Sequence, residues 1–191
     1  MLRRVKCGQS IMDIGCFLGQ DLRWLALQGA PTDKMYGVDV EEPWWGLGFD
    51  LFDDRDKFHG QFLQADLLSS GSALRQVRGQ IDVIWTASML HEFSWEKQMQ
   101  ILKELIGTTK PGSLVAGIVA GQVGGKRVQT NWKGKQEFFH HDTETMKRLW
   151  AQAASESETE WTVRAEMFDV SLVSRDIGPE FKAITFEAVR K

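Results

Sequence analysis

The stretch IMDIGCFLGQD, residues 11–21, decides how the rest of the chain is read. Apolar residues lead into Asp13, Gly15 and Gly19 follow at the spacing of a tight strand-to-helix turn, and Leu22, Leu25 and Ala26 begin a helix. Such a unit lets backbone approach a nucleotide-like ligand. The first N–H groups of the helix lack partners, and glycine has no Cβ to hold a ligand off. A Gly-x-x-x-Gly spacing also suits a plain tight turn, so the flanking chain carries the decision.

Working outward, the first helix runs from about Gln20 to Gln28 and stops at Gly29, with Pro31 beyond it. MYGVDVE, residues 35–41, reads as a second strand ending in Asp39 and Glu41. The aromatic-rich segment from Pro43 predicts a helix broken or tightened near Gly46 and Gly48, with a charged DDRDK end. QFLQAD is a third strand ending at Asp66, SSGS at 69–72 a loop, and Leu74 with Val77 a short amphipathic piece. IDVIWTAS, residues 81–88, is a buried strand, and Ser94 caps a helix bearing Trp95, Met99, Leu102 and Ile106 on one face. Pro111 and Gly112 predict a turn into the strand SLVAGIVAG, residues 113–121, and residues 122–134 a surface loop. Asp142 caps a helix holding Met146, Leu149, Trp150 and Ala153. WTVRAEMF and FKAITFEAV alternate like strands, joined by a turn around Gly178 and Pro179. The succession predicts an α/β fold: a Rossmann-like doubly wound sheet, mostly parallel, with an antiparallel last strand and helices on both faces.

With 191 residues, 42% hydrophobic and 26% charged, the chain is expected to form a single domain, 1–191, with one full core. A net charge of −3 gives no basic excess for phosphate backbones, so nucleic acid is not expected as a partner. Cys7 and Cys16 make no disulfide framework, and no apolar run resembles a secretory leader or a membrane span. A cytoplasmic protein without membrane association is the expectation.

Asp13, Asp39 and Asp66 end three successive strands or their approaches, and in a doubly wound sheet those ends share the ligand crevice. A carboxylate after the second strand can accept both hydroxyls of a ribose, and one after the third can accept from an exocyclic amine. Strand ends are also polar without any ligand. His91 offers a neutral imidazole to take a proton, or simply satisfies a loop backbone group. His140 and His141 are adjacent and point to opposite faces of an extended segment, so they do not share a metal, and the chain has no zinc-ligand spacing.

The order IMDIGCFLGQD, YGVD, QADLL, IDVIWTASMLHEF and KPGSLVAG resembles the class I S-adenosylmethionine-dependent methyltransferases. DIGCFLGQDLRWL, FDLFDDRDKF, SMLHEF and FFHHDTETMKRLW bring it nearer the fungal small-molecule methyltransferases of secondary metabolism, meroterpenoid pathways included. The resemblance implies that Asp13, Gly15, Cys16, Phe17 and Gly19 wrap the methionine part of S-adenosylmethionine, Asp13 facing its amino group. It places Gln20 and Asp21 beside that pocket, Asp39 and Val40 at the ribose, Asp66 and Leu67 at the adenine, and Thr86 and Ala87 by the sulfonium. The implied reaction is in-line attack of a substrate oxygen, carboxylate or hydroxyl, leaving S-adenosyl-L-homocysteine, with His91 as the base where one is needed. Trp44, Trp132 and His140 are the candidates to line a site for a small apolar terpenoid or polyketide. A homodimer is compatible with this reading.

Two departures stand out. Phe17 occupies a position where many such enzymes have glycine, and only about ten residues, 1–9 among them, precede the first strand where lid helices are usual. The rival readings are a methyltransferase-like protein that binds cofactor without methyl transfer, or works as a cyclase or isomerase, and a nicotinamide-dependent oxidoreductase. The last wants glycine at the positions held by Phe17 and Gln20.

Overall fold

A computed structural model describes residues 1–69, 73–130, 136–169 and 181–191. A one-turn helix α1 (Leu2–Lys6) precedes β1 (Ile11–Ile14), and then come α2 (Gln20–Leu27), β2 (Met35–Asp39), α3 (Pro43–Phe52) and β3 (Gln61–Gln64). A 3₁₀ turn at Ala73–Val77 leads to β4 (Ile81–Ala87), another at Leu90–Glu92 to α4 (Trp95–Thr108), and β5 spans Thr109–Gln122. The chain ends with β6 (Lys126–Thr130), β7 (Gln136–His140), α5 (Thr143–Glu156), β8 (Trp161–Asp169) and β9 (Phe181–Arg190).

Seven strands form one sheet in the order β3-β2-β1-β4-β5-β9-β8. β1 to β5 are parallel, and β9 alone runs antiparallel to both its neighbours, as expected for the last strand. Side-chain alternation divides the core in two. Met12, Ile14, Ile84, Val115 and Ile184 face α4 and α5, whereas Ile11, Met35 and Val83 face α2 and α3, with Val5 of α1. Two caps match the sequence: Ser94 Oγ accepts from Lys97 N–H, and Asp142 with Thr145 makes a reciprocal capping box.

Three expectations need correction. Pro111 and Gly112 do not separate a helix from a strand but lie inside β5, where the pairing jumps from Ile81↔Thr109 to Val83↔Leu114. Gly112, with φ +85°, makes that bulge possible. Residues 122–134 are not all loop, because Lys126–Thr130 pairs antiparallel with Gln136–His140 as a separate hairpin. Finally, α3 is not broken at its glycines. Gly48 is buried where a Cβ would overlap the Leu18 carbonyl oxygen, so it is there for close approach rather than flexibility. The expected turn at Gly178 and Pro179 lies outside the described residues.

Candidate active site

The β1–α2 turn is fixed from three sides. Gly15 and Gly19 take φ of +71° and +70°, and Phe17 enters the same left-handed region at +49° despite its Cβ. Asp39, at the end of β2, holds that strained residue: its Oδ2 accepts from Phe17 N–H at 3.0 Å, while Oδ1 accepts from Glu41 N–H at 3.2 Å. Behind the turn, the Arg23 guanidinium donates to Leu18 O at 2.6 Å and pairs with Asp54 at 2.8 Å, within a cage of Trp45, Phe49, Phe52 and Phe58. Arg23 is buried, yet sequence periodicity gave no reason to single it out. A Cβ on Gly19 would meet Arg23 Nη1 at 2.7 Å and Trp45 at 2.8 Å, so this glycine makes room for the cage rather than for a ligand.

Of the expected cofactor residues, the structure brings Gly15, Asp39, Val40, Asp66 and Leu67 together around one cleft of about 140 Å³. Ile14, Met89, Phe93 and Ile101 complete its apolar wall. Met89 and Phe93 flank His91 in SMLHEF, and neither is among the site residues expected from sequence. Asp66 accepts from Leu68 N–H at 2.9 Å and from Ser69 Oγ at 2.6 Å, and the Ser69 bond, followed by Leu68, holds its carboxyl below the usual range.

Asp13 sits on the opposite face of β1 from Ile14. It lies between Gly37 of β2 and Trp85 of β4 and is 3% exposed. Burial, then the nearby charges of Asp21 and Asp39, pushes its pKa up to about 8. Asp21 accepts from Trp85 Nε1 at 2.7 Å, Gln20 is exposed, and Cys16 is buried with its thiol pushed up by burial. Thr86 is fully buried, its Oγ1 without a hydrogen-bond partner among the described residues, and Ala87 is half-buried beside it; neither lines the cleft. Trp44 packs against Phe17 at a tilt of 49°, with ring centroids 4.7 Å apart. Trp132 lies outside the described residues.

His91 follows β4, and its ring stands 6.2 Å from that of His140 on β7. His91 Nδ1 accepts from Ala120 N–H at 3.3 Å, which fixes the neutral tautomer with hydrogen on Nε2, 3.2 Å from Glu92 Oε1. Burial holds its pKa below the ordinary histidine value. The neighbouring His141 is a different object. Gln98 donates to Phe93 O and Phe139 O, each at 2.9 Å, leaving its Oε1 to accept from His141 Nε2 at 2.9 Å. Burial lowers the His141 pKa to about 4, so it pins the β6–β7 hairpin as a neutral ring. Among the described residues no cluster of three or more metal-binding side chains occurs, and no helix is long and apolar enough to cross a membrane.

A profile of the methyltransferase domain matches residues 11–112, from the start of β1 into β5. The chain belongs to this methyltransferase family. Its relatives include the O-methyltransferase phiE of a fungal species, 35% identical over 159 residues, which cover 81% of this chain and 52% of that protein. Methyltransferase adrK of Penicillium roqueforti is 35% identical over 161 residues, covering 82% of this chain and 57% of the relative. The chain therefore spans a little over half the length of the curated relatives it matches. Among solved structures, the S-adenosylmethionine dependent methyltransferase from Mesorhizobium loti superposes with TM-score 0.66 at 14% identity, over 95% of this chain and 90% of that one. The [4+2]-cyclase SpnF superposes with TM-score 0.67, also at 14% identity, over 98% and 78%. The chain is thus a class I methyltransferase domain related to fungal O-methyltransferases, with the expected Rossmann-like sheet.

The residues fit the cofactor such domains use. A carboxylate at the end of β2, a Cβ-free residue at Gly15 and an apolar lining that includes Val40, Leu67 and Met89 match a ribose, a close backbone approach and an adenine.

Proposed function

We propose that this chain transfers a methyl group from S-adenosyl-L-methionine to an oxygen of a small apolar metabolite, with residues 1–191 acting as one domain in the cytosol. The observation that carries the reading is Asp39, which latches the glycine turn through Phe17 N–H and also faces the cleft between Gly15 and Asp66. When bound, the cofactor supplies a methyl already activated by positive sulfur. The protein's task is then alignment and exclusion of water. Asp39 accepts the ribose hydroxyls, Asp66 and Leu67 border the adenine, and the turn at Gly15, which lines the cleft, takes the methionine end.

His91 is proposed to orient the acceptor rather than to deprotonate it. Its only lone pair faces Ala120 N–H, and a proton there would meet that N–H head-on. The Nε2 hydrogen, by contrast, has as its neighbour Glu92 Oε1 at 3.2 Å, on a side chain that is 60% exposed and can give way to a substrate oxygen. A donor of this kind suits an acceptor that needs no base, so of the two oxygen classes a carboxylate is favoured over a phenol or alcohol. His140, whose ring stands 6.2 Å from that of His91, and Trp44, against Phe17, are the side chains proposed to contact the acceptor. The relatives' names, an O-methyltransferase among them, support the class of reaction.

Calorimetric titration with S-adenosyl-L-methionine and S-adenosyl-L-homocysteine tests the cofactor site. Micromolar binding is expected, and Asp39→Ala should weaken it at least tenfold, since a hydrogen bond to a charged group contributes about 1.5–3 kcal/mol. Absence of binding to the folded wild-type protein would refute the proposal. Binding without S-adenosyl-L-homocysteine formation across a panel of apolar carboxylic acids and phenols would favour a cofactor-binding protein of other chemistry. The superposition on a cyclase shows that the fold alone does not decide this.

A further inference from the structure

β8 is an outer strand of the large sheet, paired with β9 on one side and with nothing among the described residues on the other. It runs nine residues, WTVRAEMFD, in unbroken register with β9 from Trp161↔Arg190 to Asp169↔Lys182. The opposite edge, β3, is only four residues long. Soluble proteins usually blunt an exposed edge by shortness, proline, a bulge or charged side chains; β8 has none of the first three, and its outward charges Arg164 and Glu166 are of opposite sign.

The β8 side chains alternate. Trp161, Val163, Ala165 and Met167 pack toward the core, while Thr162, Arg164, Glu166 and Phe168 face outward. Arg164 and Glu166 therefore stand two residues apart on one exposed face. Neither makes an ion pair among the described residues, although Arg164 lies across from Glu187 of β9.

We propose that β8 pairs antiparallel with β8 of a second copy of this chain, across a two-fold axis at Ala165, so that two sheets become one. In this register Arg164 lies opposite Glu166 of the second copy, and the symmetry repeats the pair. Val163 meets Met167, Thr162 meets Phe168, and Ala165 meets itself. Sliding two residues either way sets Arg164 against Arg164 or Glu166 against Glu166, which like-charge repulsion disfavours. Sliding by one turns core-facing residues outward. Among the registers within two residues of this one, only the Ala165-centred pairing sets Arg164 against Glu166 on both sides of the axis. On the same outward face Phe168 and Val189 are 44% and 41% exposed, giving apolar surface beside the joined edges. Durable interfaces bury roughly 1,200–2,000 Å², more than one strand pair supplies, so the dimer dissociates on dilution.

Sedimentation velocity over a concentration series should show a reversible monomer–dimer equilibrium. Glu166→Arg, which faces neutral Thr185 within the chain, should shift it to monomer, Arg164→Glu likewise, and the double swap should restore the dimer. A second measurement does not rely on charge. In a Cys7→Ser background, chosen because Cys7 is the exposed native thiol, Ala165→Cys should form a disulfide-linked dimer on mild oxidation. Val163→Cys should not, because its copies lie four residues out of register, beyond the roughly 7 Å limit between Cα atoms. A monomer at every concentration with no Ala165→Cys crosslink, or a dimer indifferent to both single charge reversals, would overturn the proposal.

Discussion

At the residue scale, Asp13 joins the site's electrostatics to the protein's stability. Its pKa stands near 8 in the folded chain against an ordinary 3.8, chiefly because it is buried. Between those values the folded protein keeps a proton that the unfolded chain has lost. The sign follows: Asp13's contribution to stability is largest below about pH 4 and falls as the pH rises toward 8, by at most about 1.4 kcal/mol per pH unit. Thermal melts of the ligand-free protein from pH 5 to pH 9 should show that decline, and Asp13→Asn, neutral throughout, should flatten it. An unchanged slope in the variant would remove Asp13 as its source. The sequence marked Asp13 as important but not as protonated, because that depends on Trp85 and Asp21, which reach it through strand pairing and a helix turn.

At the scale of elements, the two glycines of α3 separate a local effect from a tertiary one. A Cβ on Gly46 meets nothing within 4 Å, so Gly46→Ala should stabilise the helix by about 0.5–1 kcal/mol. Gly48→Ala drives its methyl into the Leu18 carbonyl and should cost about 1–3 kcal/mol. It should also weaken S-adenosyl-L-homocysteine binding, because Leu18 belongs to the glycine turn. Denaturant titration and calorimetry of the two variants check both signs, and equal effects would sink the distinction. Both glycines looked alike in sequence, where a helix with two glycines suggests a break. Similarly, Pro111-Gly112 signals a turn, yet the register of β4 converts it into a bulge within a continuing strand.

At the scale of the molecule, the β6–β7 hairpin is tied to the sheet by Gln98, beside the Gln122 N–H to His141 O bond and the Arg127–Glu96 ion pair. The Gln98 amide joins Phe93 O, Phe139 O and His141, with Phe139 N–H donating to Phe93 O alongside. Gln98→Leu takes the Gln98 amide from Phe139 O and His141 Nε2, at about 1–3 kcal/mol for a buried group left unpaired, and backbone amides of Lys126–Thr130 and Gln136–His140 should exchange faster by hydrogen–deuterium mass spectrometry. Unaltered hairpin exchange in the folded variant would show that Gln98 is not the pin. The order of the main-sheet strands and the helices, the glycine turn and the acids after β2 and β3 were legible in the chain, because apolar periodicity, glycine conformation and capping act over neighbouring residues. Tertiary structure alone decided that Asp39 latches Phe17, that Arg23 sits in an aromatic cage, and that His91 spends its lone pair on Ala120. Each of those contacts joins residues distant in sequence, and what a side chain can do there depends on burial and partners that no local pattern records.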